Sequence, residues 1–303
     1  MEKTTSILMS GASGLVGASL VRASIANQIS VIRLVRGNQP ENTGEIGWSP
    51  SRSPILSDKS TLEGFDAVIH LSGANLAAHR WTDAYKREIV ESRVRTTQAL
   101  SGLLAELEHP PRVFLCASAT GIYGNRGDEL LTEDSSTGTG FVAETCRAWE
   151  EATAPAKAAG IRVVYIRFGV VLSPGGGALA RMLPLFRLGA GGKLGAGTQW
   201  MSWIALPDMV SAIFYLLETP ELEGAINMTA PEPVTNSEFA HTLAKTLHRP
   251  AIFPAPAFAL RLALGEIADE VLLASQRALP ERLMQSGFRF EYPTLAPAFR
   301  GLL

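Results

Sequence analysis

Cysteine is nearly absent: the 303-residue chain has two, Cys116 and Cys146. That excludes a disulfide scaffold, and neither thiol has a Cys-x-x-Cys partner or a nearby histidine cluster for structural zinc. The five histidines, His70, His79, His109, His241 and His248, have no metal-site spacing, so no metal is expected. Positive charge is not in excess either. A formal net charge of −2 argues against a nucleic-acid partner bound through phosphate neutralisation. No run reaches the roughly 18 apolar residues of a membrane span, and the start lacks the basic-then-apolar pattern of a secretory signal. A soluble, cytoplasmic globular protein with no membrane contact is the expectation. One further absence is local: from Gly169 to Pro207 there is no Asp or Glu, only Arg181, Arg187 and Lys193. This one-signed segment, rich in glycine, predicts mobile loops around short helices that face an anionic ligand, against the alternative that three charges fall so by chance.

What is present is glycine at a regular spacing. In "SGASGLVGASL", residues 10–20, Gly11, Gly14 and Gly17 follow the apolar run Ile7–Met9 and precede a helical stretch from Leu15 to Ile25. A strand-to-helix turn built on glycines lets the backbone approach a pyrophosphate, which the helix N-terminus attracts. Packing glycines are the alternative, and the spacing is not the commonest dinucleotide fingerprint. Context favours the cofactor. Further apolar runs at 30–35, 65–74, 111–119, 161–169 and 226–230 alternate with helical stretches at about 85–104 and 142–159. Strands apolar on both faces and alternating with helices predict a doubly wound, mainly parallel α/β sheet.

The end of the second strand bears on cofactor choice. An acid there would bind the ribose hydroxyls of NAD, but the chain reads "VIRLVRG", with Val35 followed by Arg36. Arg36 can meet a 2′-phosphate, which predicts NADP(H); a solvated arginine is the alternative, and Arg33, inside the strand, is the weaker competitor.

These residues resemble the extended short-chain dehydrogenase/reductase superfamily, also called the NAD-dependent epimerase/dehydratase superfamily. Within it the chain is similar to an atypical group of nucleoside-diphosphate-sugar epimerases that ends in a small domain of unknown function. The resemblance covers almost the whole chain, through "GASGLVG" (11–17), "DAVIHLSGANL" (66–76), "SRVRTTQAL" (92–100), "SATGIYG" (118–124), "RFGVVLSPGGGAL" (167–179) and the segment 264–295. It implies a Rossmann domain over about 1–168 and a smaller α/β lobe over 169–303, with some sheet elements returning to the first domain. It also implies a cofactor site of Gly11, Ser13, Gly14, Leu15, Gly17, Arg36, Leu71, Ser72 and Gly73. The partner expected is a small anionic or sugar-like molecule, with a homodimer as the one assembly considered.

Members of this superfamily carry a Ser or Thr at the end of the fourth strand and a Tyr-x-x-x-Lys helix that moves the proton while hydride moves on the nicotinamide. Ser118 and Thr120 supply hydroxyls here. Val142 and Cys146 stand where the tyrosine and lysine belong, and neither can do their chemistry. The remaining candidates are Tyr123, Lys86 and Arg93, with Glu144 as a further acid; helix-surface charge, with Trp81 as an apolar anchor, is the competing reading. "QWMSWI" (199–204) is read as an apolar wall of the cleft or as interface packing. Thr235 and Glu238 have capping-box spacing before a helix.

Overall fold

A computed structural model describes residues 4–37, 43–50, 52 and 55–303. Its centre is a sheet of seven strands: β1 (Ser6–Ser10), β2 (Ser30–Arg36), β3 (Glu45–Trp48), β4 (Ala67–His70), β5 (Val113–Ala119), β6 (Arg162–Phe168) and β7 (Gly224–Met228). Their spatial order is β3-β2-β1-β4-β5-β6-β7, and every pair is parallel. The order reverses beside β1, which opens a crevice at the carboxyl ends of β1 and β4. Ile7–Met9, Ala67–Ile69 and Phe114–Cys116 are buried almost completely, as strands covered on both faces must be.

The helices follow the expected crossovers. They are α1 (Leu15–Ala26), α2 (Asp83–Ala105), α3 (Phe141–Glu151), α4 (Gly177–Arg187), α5 (Leu206–Glu218), α6 (Asn236–Thr246), α7 (Ala257–Leu264) and α8 (Leu295–Leu302). Thr82 caps α2 by accepting the Tyr85 N–H at 3.2 Å, and Thr235 and Glu238 form the expected capping box at α6. Two expectations are corrected. The helix predicted over 142–159 ends at Glu151 and restarts as a short turn, Ala154–Ala158, because Pro155 has no N–H to continue the ladder. Segment 169–207, predicted as loops around short helices, contains the 11-residue helix α4 and three short strands, Val170–Leu172, Trp200–Met201 and Trp203–Ala205.

The apolar interior falls into three clusters. The largest lies around the parallel sheet, and the second joins α4, α6 and α8 around Trp203, Phe239 and Phe299. The third, Trp81, Tyr85, Ile89, Tyr123, Val142, Cys146 and Ile267 among it, sits between α2, α3 and the C-terminal segment. It fills the end of the sheet where the expected relay would lie. No helix among the described residues is long and apolar enough to cross a membrane.

Candidate cofactor and substrate cleft

Local sterics fix the turn between β1 and α1. Gly11 has φ +73°, and a Cβ there would stand 2.7 Å from the Leu71 carbonyl carbon. A Cβ on Gly17 would stand 2.3 Å from the Gly11 carbonyl oxygen, so this glycine lets the helix pack against its own turn. Gly14 differs: at the N-cap of α1, its added Cβ would meet only the Gly11 oxygen, at 3.4 Å. The open side of Gly14 faces a cleft of about 1010 Å³, in the size range of cofactor sites.

That cleft brings together most of the expected cofactor set. Gly11, Ser13, Gly14, Arg36, Leu71, Ser72 and Gly73 line it. Gly17 and Leu15 do not. Gly17 is buried beneath the turn, and Leu15 packs against the Gly176–Gly177 loop that leads into α4. On the rim, Arg33 is paired with Glu45 at 3.0 Å, whereas Arg36 and Arg52 have no ion-pair partner among the described residues. Arg52, and the buried Trp48 at the back of the cleft, carry no motif and were not identified from sequence; β3, which carries Trp48, is only four residues long.

The catalytic candidates disperse. None of the five lines this cleft. Ser118 donates to Glu150 Oε1 at 2.7 Å, and Glu150 receives Arg167 Nε at 2.8 Å and Nη2 at 2.9 Å. Arg167 Nη1 donates to the Tyr123 hydroxyl at 2.9 Å, and that hydroxyl donates to Asn227 Oδ1 at 2.8 Å. Every member of this chain is buried. Burial works against the Arg167 charge, but the Glu150 carboxylate outweighs it and holds the guanidinium firmly protonated. Burial also raises the Tyr123 phenol. The two hydroxyls are therefore spent inside a satisfied network.

Thr120, at the end of β5, donates to Gln276 Oε1 at 2.9 Å, a C-terminal residue without a sequence signal. Lys86 pairs with Glu266 at 2.8 Å and lies 4.4 Å from the Phe141 ring centroid, tying α2 to the C-terminal segment. Glu144 is exposed on α3, the solvated position that an isolated helix acid usually takes. Trp203 is core and Trp200 bonds Asp128 at 2.7 Å, which makes "QWMSWI" lobe packing.

Arg93 is tied to the cleft loop. Val142 Cγ1 occupies the space that a Cβ on Gly121 would need, and burial pushes the Cys146 thiol up to about 12. Arg93, on α2, interacts electrostatically with Cys146, the residue at the vacated lysine position. Its Nη2 donates to the Ala74 carbonyl at 2.9 Å, and Ala74 lines the cleft. His70, expected as a packed residue, bonds Ser10 Oγ at 2.5 Å through Nδ1, and burial lowers its pKa to about 3. Among the described residues no group of three or more His, Cys, Asp or Glu could hold a metal ion.

A seven-stranded parallel sheet with a glycine turn at its switch point defines a Rossmann-type nucleotide-binding protein. The chain belongs to the NAD dependent epimerase/dehydratase family, whose model matches residues 7–228; residues 255–302 match a domain of unknown function, DUF1731. It is 43% identical over 292 residues to Epimerase family protein Mb2239 of Mycobacterium bovis, covering 96% of this chain and 95% of that one. The chloroplastic SDR39U1 homolog of Arabidopsis thaliana is 36% identical, with 100% of this chain and 88% of the relative covered. Among solved structures, the human epimerase family protein SDR39U1 with NADPH superposes with a TM-score of 0.89 at 29% identity, covering 98% and 99% of the two chains.

Proposed function

We propose that this protein binds NADP(H) in the cleft and acts as an oxidoreductase or epimerase on a small anionic or sugar-like molecule. The carrying observation is Arg36: an exposed guanidinium without an ion-pair partner at the end of β2, opposite the Gly11–Gly14 turn, with Val35 where an acid would repel a 2′-phosphate. The residues fit the cofactor. Gly14 leaves room for a pyrophosphate at the α1 N-terminus, and Arg36 and Arg52 offer charge for the 2′-phosphate. The NADPH in the human SDR39U1 structure supports the same choice.

The bound nicotinamide supplies or accepts hydride. The chain's part is to orient the substrate and to hold charge. Arg93, a cation that interacts electrostatically with Cys146, is favoured for charge stabilisation, and Ser118 or Thr120 for hydrogen bonding. Tyr123 and Lys86 complete the candidate set; like Ser118, Thr120 and Arg93, each already holds a partner within the protein, so its part is to position the substrate. A second reading, an NADPH-binding sensor without turnover, is favoured by the Val142 and Cys146 positions, which leave no proton relay.

Calorimetric titration of the purified protein should give tighter binding of NADPH than of NADH. Equal affinities would overturn the cofactor assignment. A carbonyl and nucleotide-sugar screen with NADPH, read by cofactor absorbance and product mass, then separates the two readings: turnover supports the enzyme, and tight binding without turnover supports the sensor.

A further inference from the structure

Two helices of the second lobe and the chain beside them carry several of the exposed apolar side chains, Ile252 and Phe253 of the intervening segment among them. Leu185 on α4 and Leu188, the residue that follows that helix, are 56% and 81% exposed; on α7, Phe258 and Leu262 are 72% and 77% exposed. Helix α7 reads "AFALRLAL" and buries none of its residues. Scattered surface leucines need no explanation, but an eight-residue, almost wholly apolar helix with no buried position does.

Both helices are anchored on one loop. Arg181, one turn before Leu185 on the same face of α4, donates to the Ala77 carbonyl at 3.3 Å. Arg80 donates to the Leu262 carbonyl at 3.4 Å. Residues 74–80 continue directly from Gly73, and Gly73 and Ala74 line the cofactor cleft, so the loop that holds both helices runs on from that cleft. The segments that follow α4 and precede α7 are also joined: the Arg249 side chain donates through Nε to the Arg187 carbonyl at 2.9 Å, and the Ala255 N–H donates to the Lys193 carbonyl at 2.9 Å.

The cations around the stripes are unpaired: Arg80, Arg181, Arg187 and Lys193 have no carboxylate partner among the described residues, and no acid occurs from 169 to 207. The acids of the C-terminal segment are already engaged: Glu266 with Lys86, Asp269 with Arg261, and Glu270 with the Val142 N–H at 3.1 Å. An occupant must therefore present a hydrocarbon surface and a negative group together.

We propose that the α4–α7 face is the chain-binding part of the substrate site, and that the substrate is an anionic amphiphile: a hydrocarbon chain carrying a phosphate or carboxylate. The chain lies along Leu185, Leu188, Phe258 and Leu262, the anion meets Arg181, and the reacting carbon points towards Gly73 and the cofactor. This rests on the NADPH reading above and narrows its substrate.

The test uses octyl, decyl and dodecyl phosphate and the matching carboxylates, each below its micelle concentration, titrated calorimetrically into the full-length, NADPH-saturated protein. Affinity should rise roughly three- to fourfold for each added methylene. L188S and the double variant F258S/L262S should flatten that dependence; their positions are exposed, and unchanged circular dichroism and NADPH affinity would verify the fold. R181A should weaken every member roughly tenfold and leave the chain-length slope intact. A flat slope with NADPH still bound overturns this inference alone. Loss of NADPH binding with the slope intact overturns the cofactor reading alone. Sedimentation with phosphatidylglycerol vesicles, or a dimer in light scattering dissolved by L188S, in either case without binding of the monomeric amphiphiles, would assign the face to a bilayer or to a second copy and overturn the inference.

Discussion

A Cβ on Gly73 would stand 3.1 Å from the guanidinium carbon of Arg93. Arg93 also donates to the Ile89 carbonyl at 3.1 Å and lies 5.1 Å from the Trp149 ring centroid, so the cleft loop and this cation fix one another. Arg93→Ala should lower stability by roughly 1.5–3 kcal/mol, the usual scale for a charged hydrogen-bonding group, and should weaken NADPH binding through the released loop. Arg93→Lys should not restore either property, because an ammonium cannot reach two carbonyls and stack as a plane. Urea unfolding and calorimetry on both variants measure this; a lysine variant equal to the parent would refute the planar role.

At the cofactor end, Arg36→Ala should cost NADPH roughly tenfold in affinity and leave NADH unchanged, because only NADPH carries the phosphate. Arg33→Ala should cost less, since Glu45 already neutralises Arg33 at 3.0 Å. If the Arg36 variant keeps its preference, Arg52 is the next cation to test.

Two glycines of the turn should separate stability from binding. Gly17→Ala forces a 2.3 Å contact on the Gly11 oxygen and should cost roughly 1–3 kcal/mol of stability. Gly14→Val has space in the protein itself, where φ is −72° and ψ 171°, so its thermal midpoint should fall less while dinucleotide affinity is largely lost. Thermal melts with and without NADPH distinguish the two. A Gly14 variant with parental affinity would show that the pyrophosphate lies elsewhere.

His70 makes stability depend on acid. Burial lowers its folded pKa to about 3 from an ordinary 6.5, so the unfolded chain takes up the proton first. Its stabilising contribution is complete above 6.5 and is lost as pH falls from there towards 3; between pH 7 and pH 5 the loss should be roughly 2 kcal/mol. Urea unfolding at both pH values, repeated on His70→Gln, should show the difference shrink by about that amount. A glutamine variant with an undiminished difference would place the titrating group elsewhere.

Much of the Rossmann half was legible in the residues because its signals are local. Apolar runs bounded by turns marked six of the seven central strands, and glycines next to a strand marked the cofactor turn. Strand β3 escaped because Glu45–Trp48 has only four residues, one of them glycine, and is paired on one side only. The break at Ala152–Thr153 was missed because apolar periodicity runs on either side of it, although Pro155 marked the place. The absence of a tyrosine and lysine at 142 and 146 was also readable, being a matter of register in one helix.

What filled their place was decided by tertiary structure alone. Ser118 and Tyr123 look free in the sequence, and only the convergence of β5, β6, β7 and α3 joins them to Glu150, Arg167 and Asn227, residues up to 109 positions apart. Likewise a solvated and a paired arginine are the same letter: Arg33 and Arg36 became different when β3 brought Glu45 to one and not to the other. Six of the seven central strands, the glycine turn and the lost relay are legible in the residues alone, because each depends on neighbours a few residues away. Charge pairing, burial of hydroxyls and the exposed faces of α4 and α7 depend on which distant segments meet, and that contact exists only in the folded chain.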